Sequence, residues 1–364
     1  MKCNKVKVSF FLGALNDSHY RKRVEEFVKQ GYDVQVFGFL REGQALPEYP
    51  CSVNVLGTIK ERNYKDRLML FYKQMRSIAP KCKDTICFYS SLDIALFAKL
   101  SIKSPYIYEV CDLTELVITN KLIRSLLVAL NKRCINHSLL TIVTSQGFID
   151  YFKDVRKEKL ILIPNKVSPD CPTYITEKKD TIKKPFKIGF VGVIRFESTF
   201  HFIKECQNRD DVEMHLYGIY SKGDHWSEKI KEIVDSSSNM EFHGRFMNPT
   251  DLPSIYSQID MVLCAYTPSP GVIHAEPNKL YEAIYFRKPI IVSEGTFLGE
   301  KVRKMNIGYA IDSMNEDSIG KFLDGLTISS YMKKLDNCYM INQEDCIDKY
   351  PQLFNKINEL MNQC

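Results

Sequence analysis

A short stretch in the second half of the chain combines a helix start with charges of both signs. It reads HAEPNKLYE over 274–282, and Pro277 indicates that a helix begins at about 276–277, because proline is favoured in the first helical turn. The backbone N–H groups of 278–280 would then lack partners within the helix. Together with the helix dipole and the charge of Lys279, they would form an anion-binding site.

Glu282 lies about 7.5 Å further along the axis of this predicted helix. A diphosphate at the helix end and a pair of sugar hydroxyls on Glu282 would fit the spacing, since a carboxylate accepts two hydrogen bonds from a ribose well. The alternative is an ordinary solvated helix, in which Glu276 supplies a favourable N-terminal charge. The residue types by themselves leave both interpretations open.

A second candidate for anion binding is IGFVGVIRFEST at 188–199. A predicted strand ends at Gly192, where a missing side chain lets the backbone approach a ligand. Arg195 follows before the next helix, and a guanidinium suits bidentate binding of phosphate. Taken alone, this pattern is common in α/β domains.

Charged residues also follow two predicted strands in the first half. The first strand ends at Gly13, and His19 opens a basic helix that either contacts a phosphate or presents an exposed basic face. Glu109 and Asp112 fall at the carboxyl end of a buried strand, where ligand sites of α/β sheets occur. The alternative for Asp112 is to cap a helix predicted at 115–136.

Short apolar runs alternate with amphipathic stretches along the chain. The predicted strands are 6–12, 34–39, 85–89, 106–110, 140–144, 160–163, 187–193, 213–217, 240–243, 261–265 and 289–292. The predicted helices are 18–30, 65–78, 115–136, 199–208, 250–257, 277–286, 297–305, 314–324 and 345–362. Near-continuous apolar strands separated by helices predict α/β domains with doubly wound parallel sheets.

The length of 364 residues fits about two domains. Residues 164–186 are rich in proline and charge, which favours a linker. We therefore predict an N-terminal domain at 1–168, a linker at 169–186, a second domain at 187–344 and a closing helical segment at 345–364.

Composition narrows the class of protein. Apolar residues make up 45% and charged residues 26%, as in a globular domain, and no apolar run is long enough to span a membrane. Twelve cysteines without a CxxC pair or a secretion signal indicate reduced thiols in a cytoplasmic protein. Residues 1–170 contain 27 Lys and Arg against 17 Asp and Glu, which indicates either an anionic partner or simply a basic solvated surface.

Several motifs are missing from the sequence. There is no Asp-x-Asp pair, GxSxG, Walker A motif or HExxH, and the seven histidines do not pair at metal-ligand spacing. We expect no metal and no other cofactor. Nucleic acid is not expected as a partner either, because the net charge of +6 is modest and no reader motif is present.

The ordered set of segments resembles a GT-B-fold glycosyltransferase, most like the retaining family 4 group. The resemblance covers nearly the whole chain and rests on KQGYDVQVFGF at 29–39, YEVCDLTE at 108–115, TIVTSQGFIDYF at 141–152, ILIPNKVS at 161–168, KIGFVGVIRFE at 187–197, EFHGRFMNPTDLPSIYSQIDMVLCAY at 241–266 and PNKLYEAIYFRKPIIVS at 277–293. It implies two Rossmann-like domains that face a cleft, with a nucleotide-sugar donor bound mainly by the second domain.

The same resemblance implies roles for individual residues. Glu282 would bind the ribose, the amides near Lys279 and Leu280 the diphosphate, and Arg195 would lie nearby, so Arg195, Lys279 and Glu282 are the expected catalytic residues. The remaining expected donor contacts are Gly192, Gly244, Arg245, Phe246, His274, Glu276 and Asn278, and the expected acceptor-side residues are Gly13, His19, Glu109 and Asp112.

The sequence departs from the family pattern at three places. The first of the family's paired glutamates would fall at His274, and Glu276 is the nearest carboxylate. Ser198 stands where the phosphate loop of the family has a lysine, and Cys111 where many relatives have a histidine before the aspartate. The sequence leaves open whether His274 or Glu276 replaces the missing glutamate.

The implied activity is transfer of a sugar to a hydroxyl of a saccharide or a lipid-linked saccharide, in bacterial surface polysaccharide or glycolipid assembly. The basic amphipathic stretch 117–134 would place the protein on the anionic inner face of the cell membrane; the alternative is a helix that packs into the core. Two rival functions are a nucleotide-sugar epimerase and a non-catalytic nucleotide-sugar-binding or partner subunit.

Overall fold

The chain forms two compact α/β units. A computed structural model describes residues 5–60, 64–175, 178 and 181–361. The first unit extends to Ile163 and resumes at Tyr350, and the second unit is Pro164–Lys349. Residues 164–168 were predicted to belong to the N-terminal domain. In the structure they belong to the second unit.

The first unit is built on a seven-stranded parallel sheet. Its strands are β1 Lys7–Leu12, β2 Asp33–Arg41, β3 Ser52–Ile59, β4 Ile86–Tyr89, β5 Tyr106–Val110, β6 Leu140–Val143 and β7 Leu160–Leu162, in the order β3-β2-β1-β4-β5-β6-β7. Its helices are α1 Ser18–Lys29, α2 Tyr64–Ile78, α3 Leu92–Ala98, α4 Lys121–His137, α5 Gln146–Tyr151 and α13 Pro351–Met361. The central strands β4, β5 and β6 are buried along their whole length, as expected for a parallel sheet covered on both faces.

The second unit repeats this design with six parallel strands. These are β8 Phe186–Ile194, β9 Val212–Tyr220, β10 Met240–Gly244, β11 Met261–Cys264, β12 Ile290–Ser293 and β13 Gly308–Ile311, in the order β10-β9-β8-β11-β12-β13. The helices are α6 Glu197–Cys206, α7 His225–Ser236, α8 Leu252–Ser257, α9 Asn278–Tyr285, α10 Phe297–Met305, α11 Glu316–Asp324 and α12 Ile328–Tyr339. Two apolar clusters of buried residues, one on each face of the sheet, form its core. The predicted α/β fold with two doubly wound parallel sheets is confirmed.

Some predicted elements differ from the observed ones. The strands β3 and β13 and the helices α3, α5, α7 and α12 were not predicted. β3 is a half-polar edge strand, and β13, α3 and α5 are short. The helices α7 and α12 do have an amphipathic pattern, so their sequences carried a signal. The helix expected at 115–136 is split into a 3-10 turn at Thr114–Val117 and α4. The closing segment begins with a second 3-10 turn at Gln343–Cys346, before α13 starts at Pro351.

The proposed linker and the chain ends can be compared with the structure only in part. Residues 176, 177, 179 and 180 of the linker, together with Cys3 and Cys364, lie outside the described residues. Val167 and Cys171 are buried in the core of the second unit, so the linker is anchored there. All described cysteines are free thiols. Among the described residues, no helix combines the length and apolar character needed to cross a bilayer.

Candidate nucleotide-sugar site

The strand order of the second unit reverses between β8 and β11, and the predicted donor residues Gly192 and Arg195 lie at the carboxyl end of β8. Such a switch point is where ligands bind in open parallel sheets. Gly192, near the end of β8, has a φ of 143° and pairs with Gly218 of β9. A Cβ atom on Gly218 would lie 1.8 Å from the carbonyl oxygen of Gly192, so the two backbones are in direct contact.

Lys279 lies beside Gly192 at the start of α9. A Cβ atom on Gly192 would be 3.9 Å from Cε of Lys279, which places the lysine at the strand end predicted for phosphate binding. Pro277 is the N-cap of α9, and the amide of Leu280 donates to its carbonyl oxygen at 3.1 Å. The expectation of three free amides was therefore wrong for Leu280. The amides of Asn278 and Lys279 have no acceptor among the described residues.

Glu282 is at the centre of a buried hydrogen-bond network. Its Oε2 atom accepts from the Tyr256 hydroxyl at 2.6 Å and from Lys279 Nζ at 2.5 Å, and its Oε1 atom accepts from Asn278 Nδ2 at 2.6 Å. The side chain is 3% exposed. Three of its roughly four acceptor positions are thus filled. Burial, and next the Glu282 charge, hold the pKa of Tyr256 well above its ordinary value, so this hydroxyl remains a donor. Tyr256 was not singled out from the sequence, since a tyrosine in an apolar helix looks like an ordinary core residue.

The structure separates the two candidates for the missing glutamate. Glu276 is buried, and its Oε1 atom accepts hydrogen bonds from the Tyr281 hydroxyl and from Lys301 Nζ. On α9, Tyr281 points nearly opposite to Lys279, because two helical positions correspond to about 200°. Glu276 is therefore bound to a different face of α9 from the Glu282 network. His274 lies half-buried in the turn that precedes α9.

Arg195 and Ser198 differ sharply in exposure at the start of α6. Arg195 is exposed, with its guanidinium 5.2 Å from the ring centroid of Phe196, and Phe196 stacks on Tyr266 at 4.4 Å. Ser198 is fully buried, and its hydroxyl donates to the carbonyl oxygen of Ala265 at 2.6 Å. Ser198 therefore joins α6 to the end of β11 and has no room to replace a phosphate-binding lysine.

The predicted base-lining segment follows the edge strand β10. Gly244 has a φ of 79° in the left-handed region, which a glycine adopts without strain. Arg245 is exposed, whereas Phe246 is partly buried and packs against the apolar core beside α8 and α9. The turn at Gly244 thus directs one side chain outward and the next one inward.

A separate charged cluster lies in the first unit. Glu109 is fully buried, and its Oε1 atom accepts from Arg23 at 3.1 Å and contacts His19 Nε2 at 2.9 Å. Burial opposes ionisation of Glu109, but Arg23 and His19 outweigh it and lower its pKa to about 2. Burial likewise disfavours the His19 cation, yet Cys111 and Glu109 raise the pKa of His19 well above its ordinary value.

The structure excludes two of the alternatives that the sequence left open in this region. Arg23 is 1% exposed, so the start of α1 is not simply an exposed basic face; its spacing of one helical turn from His19 was the available signal. Asn120 rather than Asp112 caps α4, accepting from the amide of Leu122 at 3.0 Å. Asp112 itself is exposed. At Gly13, the other predicted acceptor-side position, the backbone amide donates to the Ser90 hydroxyl at 3.1 Å.

In the part of the chain that the structure describes, two clusters of side chains have donor atoms close enough for a metal ion. One consists of His19, Glu109 and Cys111, and the other of His215, Glu241 and His243. Neither includes a residue of the Glu282 network. The second cluster was not predicted from the sequence, because its two histidines are 28 positions apart along the chain.

Comparison with known proteins gives one family match within the second unit. Residues 174–338 match the family model for glycosyl transferases group 1. The matched range covers most of the second unit. It contains the whole Glu282 network together with Gly192, Arg195 and Gly244.

Similar proteins cover nearly the full chain. The succinoglycan biosynthesis protein ExoL of Rhizobium meliloti (strain 1021) is 22% identical over 94% of this chain and 91% of its own. Sucrose-phosphate synthase of Thermosynechococcus elongatus superposes with a TM-score of 0.75 at 12% identity, covering 99% of both chains. Anabaena HepE, solved with UDP and glucose, has a TM-score of 0.72 at 14% identity over 99% of this chain and 100% of its own. The chain thus has the GT-B architecture of two Rossmann-like units.

Proposed function

We propose that the protein is a glycosyltransferase that moves a sugar from a nucleotide-diphosphate sugar to a hydroxyl acceptor, with retention at the anomeric carbon and without a metal ion at the diphosphate. The observation that supports this most strongly is the position of Lys279 at the start of α9, beside Gly192, inside the range that matches the group 1 family model. The ExoL relative supports a role in polysaccharide or glycolipid assembly, and HepE supports a nucleotide-sugar donor.

Catalysis in this proposal is electrostatic. Negative charge builds on the diphosphate as its bond to the anomeric carbon breaks. The acceptor hydroxyl oxygen bonds to that carbon, and its proton passes to the departing phosphate oxygen. Lys279, Arg195 and the free amides of Asn278 and Lys279 stabilise this charge. Glu282 keeps Lys279 Nζ in place at 2.5 Å and retains about one acceptor position for a ribose hydroxyl.

Donor binding and turnover test the proposal. Thermal shift measurements with UDP, GDP, ADP and their common sugars should identify a donor that raises the melting temperature. With that donor, Arg195→Ala and Lys279→Ala should each lower kcat by about 10²–10³, the loss typical of removing one stabilising donor. Lys304→Ala, an exposed lysine of α10, is the matched control. Full turnover in both site variants would reject the mechanism.

One observation favours a second candidate, a non-catalytic nucleotide-sugar-binding or partner subunit. Ser198 is locked against Ala265, and Glu282 is largely saturated by its own neighbours. Such a subunit would show a thermal shift with a nucleotide sugar but no turnover with any acceptor. An epimerase would instead change the donor sugar in the absence of an acceptor, so product analysis separates the three functions.

We further propose that the acceptor is a saccharide or a lipid-linked saccharide and that the protein binds the inner face of the cell membrane through the first half of α4. Leu122 and Leu126 are 83% and 59% exposed, and Lys121 is exposed beside them. The buried residues of α4 all lie in its second half, at Asn131, Cys134 and Ile135. An apolar helix face flanked by cations suits an anionic lipid surface.

Vesicle binding tests this surface. The protein should co-sediment with anionic vesicles and less with neutral ones, and salt should weaken the binding. A variant with Leu122→Ser and Leu126→Ser should lose it, while Met340→Ser, an equally exposed apolar residue of the second unit, should retain it. Equal sedimentation of both variants would contradict the proposal.

A further inference from the structure

Two histidines meet on the edge of the second sheet. His215 lies on β9 and His243 on the edge strand β10, where a register shift between Phe242 and Gly244 interrupts the ladder. Glu241 pairs with His215 in the register, so Glu241 and His243 lie on the same face of the sheet as His215. The His243 ring stacks on Tyr217 with a centroid distance of 4.2 Å and an angle of 6°.

The donor atoms have the spacing of a tetrahedral metal site. His215 Nδ1 is 3.1 Å from His243 Nε2 and 3.9 Å from an oxygen of Glu241. Zinc bonds of about 2.1 Å at tetrahedral angles place neighbouring donor atoms about 3.4 Å apart. Two imidazoles and a carboxylate thus already surround a volume of the right size, with a fourth position left for water.

The surroundings of His215 also fit a ligand histidine. Its Nε2 atom is buried and has no hydrogen-bond partner among the described residues, while an oxygen of Glu213 lies 3.6 Å away. A metal ion on Nδ1 would fix the proton on Nε2, which would then face this carboxylate. Metal-bound histidines commonly have such a partner. Glu241 is 65% exposed, so an ion can reach the cluster from solvent.

The other cluster in the described part of the chain is a weaker metal site. Arg23 donates to Glu109 through both Nε and Nη2, at 3.2 and 3.1 Å. A guanidinium so close neutralises the carboxylate and repels a cation. No comparable contact with an arginine is recorded for the His215 cluster among the described residues. Lys187 Nζ lies 3.8 Å from the carboxylate of Glu213, which is not one of the three ligands.

We propose that His215, His243 and Glu241 bind one zinc ion that joins the edge strand β10 to β9. The ion fixes the strand end from which Gly244, Arg245 and Phe246 continue. The ion holds the two strands together, and none of its three protein ligands belongs to the Glu282 network. The competing arrangement is a direct hydrogen bond between the two imidazoles, which needs no metal.

Zinc titration of the full chain tests the site. Protein freed of metal with a chelator is titrated with Zn²⁺ in competition with a chromophoric chelator, in a Cys111→Ser background that removes the thiol of the other cluster. His243→Ala and Glu241→Gln should each weaken binding by at least ~10–100-fold, since loss of an outer-shell partner alone has that effect. His225→Ala, an exposed histidine elsewhere in the unit, should bind as the parent does.

A second readout excludes misfolding as the cause. Zn²⁺ should raise the melting temperature of the parent and of His225→Ala, but not that of His243→Ala, whose metal-free melting temperature reports whether it folds. The proposal would be overturned if the parent, His243→Ala, Glu241→Gln and His225→Ala had the same zinc affinity and the same rise in melting temperature with zinc. A parent protein that binds no zinc would also overturn it. Donor turnover plays no part in either readout, so failure of the zinc site and failure of the proposed transferase function remain distinguishable.

Discussion

At the scale of single residues, buried charges determine what each candidate can do. Glu282 is occupied by Tyr256, Asn278 and Lys279, and therefore acts on a ligand mainly through the lysine that it positions. Glu276 is occupied by Tyr281 and Lys301. Removing one partner from such a buried pair leaves an uncompensated charge, which is costly.

His274 and Glu276 should respond differently to substitution. Glu276→Gln should lower the free energy of unfolding by about 3–5 kcal/mol, because Lys301 loses its buried partner. His274→Ala should cost less, about 1 kcal/mol, which is the typical effect of a point substitution, and should weaken binding of the nucleotide sugar more than that of the bare nucleotide. Denaturant unfolding and calorimetric titration measure the two effects. The opposite pattern would assign the sugar contact to Glu276.

The Glu109 cluster should make stability depend on pH. The pKa of the Glu109 carboxyl is lowered to about 2 from an ordinary value of 4.5. Its contribution to the free energy of unfolding is therefore present above pH 4.5 and is lost as the pH falls toward 2. Glu109→Gln should cost about 3–5 kcal/mol at neutral pH.

This difference between the parent and Glu109→Gln should shrink in acid, where the parent also loses the charge. His19 also contributes to the free energy of unfolding, because its pKa is raised in the folded protein. This contribution is complete below pH 6.5 and is lost as the pH rises through the raised pKa. Denaturant unfolding across the pH range measures the difference. A difference independent of pH would show that the cluster does not ionise as described.

At the scale of elements, the site depends on the close approach of β8 and β9, which is possible because the paired residues Gly192 and Gly218 have no side chains. Gly192 and Gly218 have φ values of 143° and 139°, and any Cβ atom on Gly218 would collide with the backbone of β8. The sequence indicated Gly192 from its place before Arg195. The need for glycine at 218 became visible only when β9 was paired with β8.

Gly218→Ala should therefore destabilise the second unit. The clash with the Gly192 carbonyl adds about 1–3 kcal/mol of overpacking to the backbone strain. Gly223→Ala is the matched control, since Gly223 also has a positive φ, of 71°, but no atom within 4 Å of its Cβ position. Thermal unfolding should rank the two variants in that order. Equal melting temperatures would show that the strain in φ, and not the strand contact, sets the cost.

At the scale of the whole molecule, the first unit includes the last helix, α13, which follows the second unit in sequence. Phe354 of α13 is 5% exposed and meets Phe27 of α1 with ring centroids 5.0 Å apart, and Leu353 and Ile357 are buried beside it. The stability of the first unit therefore depends on residues that follow the second unit in sequence.

Phe354→Ala should lower the stability of the first unit by about 3–5 kcal/mol. Hydrogen exchange should speed up first in β1, β2 and α1. Leu335→Ala, which removes a buried side chain from the core of the second unit, should instead speed exchange in β8–β13. The same exchange pattern in both variants would show that the two units unfold as one.

The sequence by itself determined the α/β class, the parallel sheets and the start of α9, because apolar periodicity and proline at a helix start are local properties. It also indicated Gly192, Lys279 and Glu282 as members of one site. Only the tertiary structure decided which charges are neutralised by neighbours. Arg23 meets Glu109, Tyr256 meets Glu282 and His215 meets His243 through strand order and register, which bring together residues that the sequence keeps far apart.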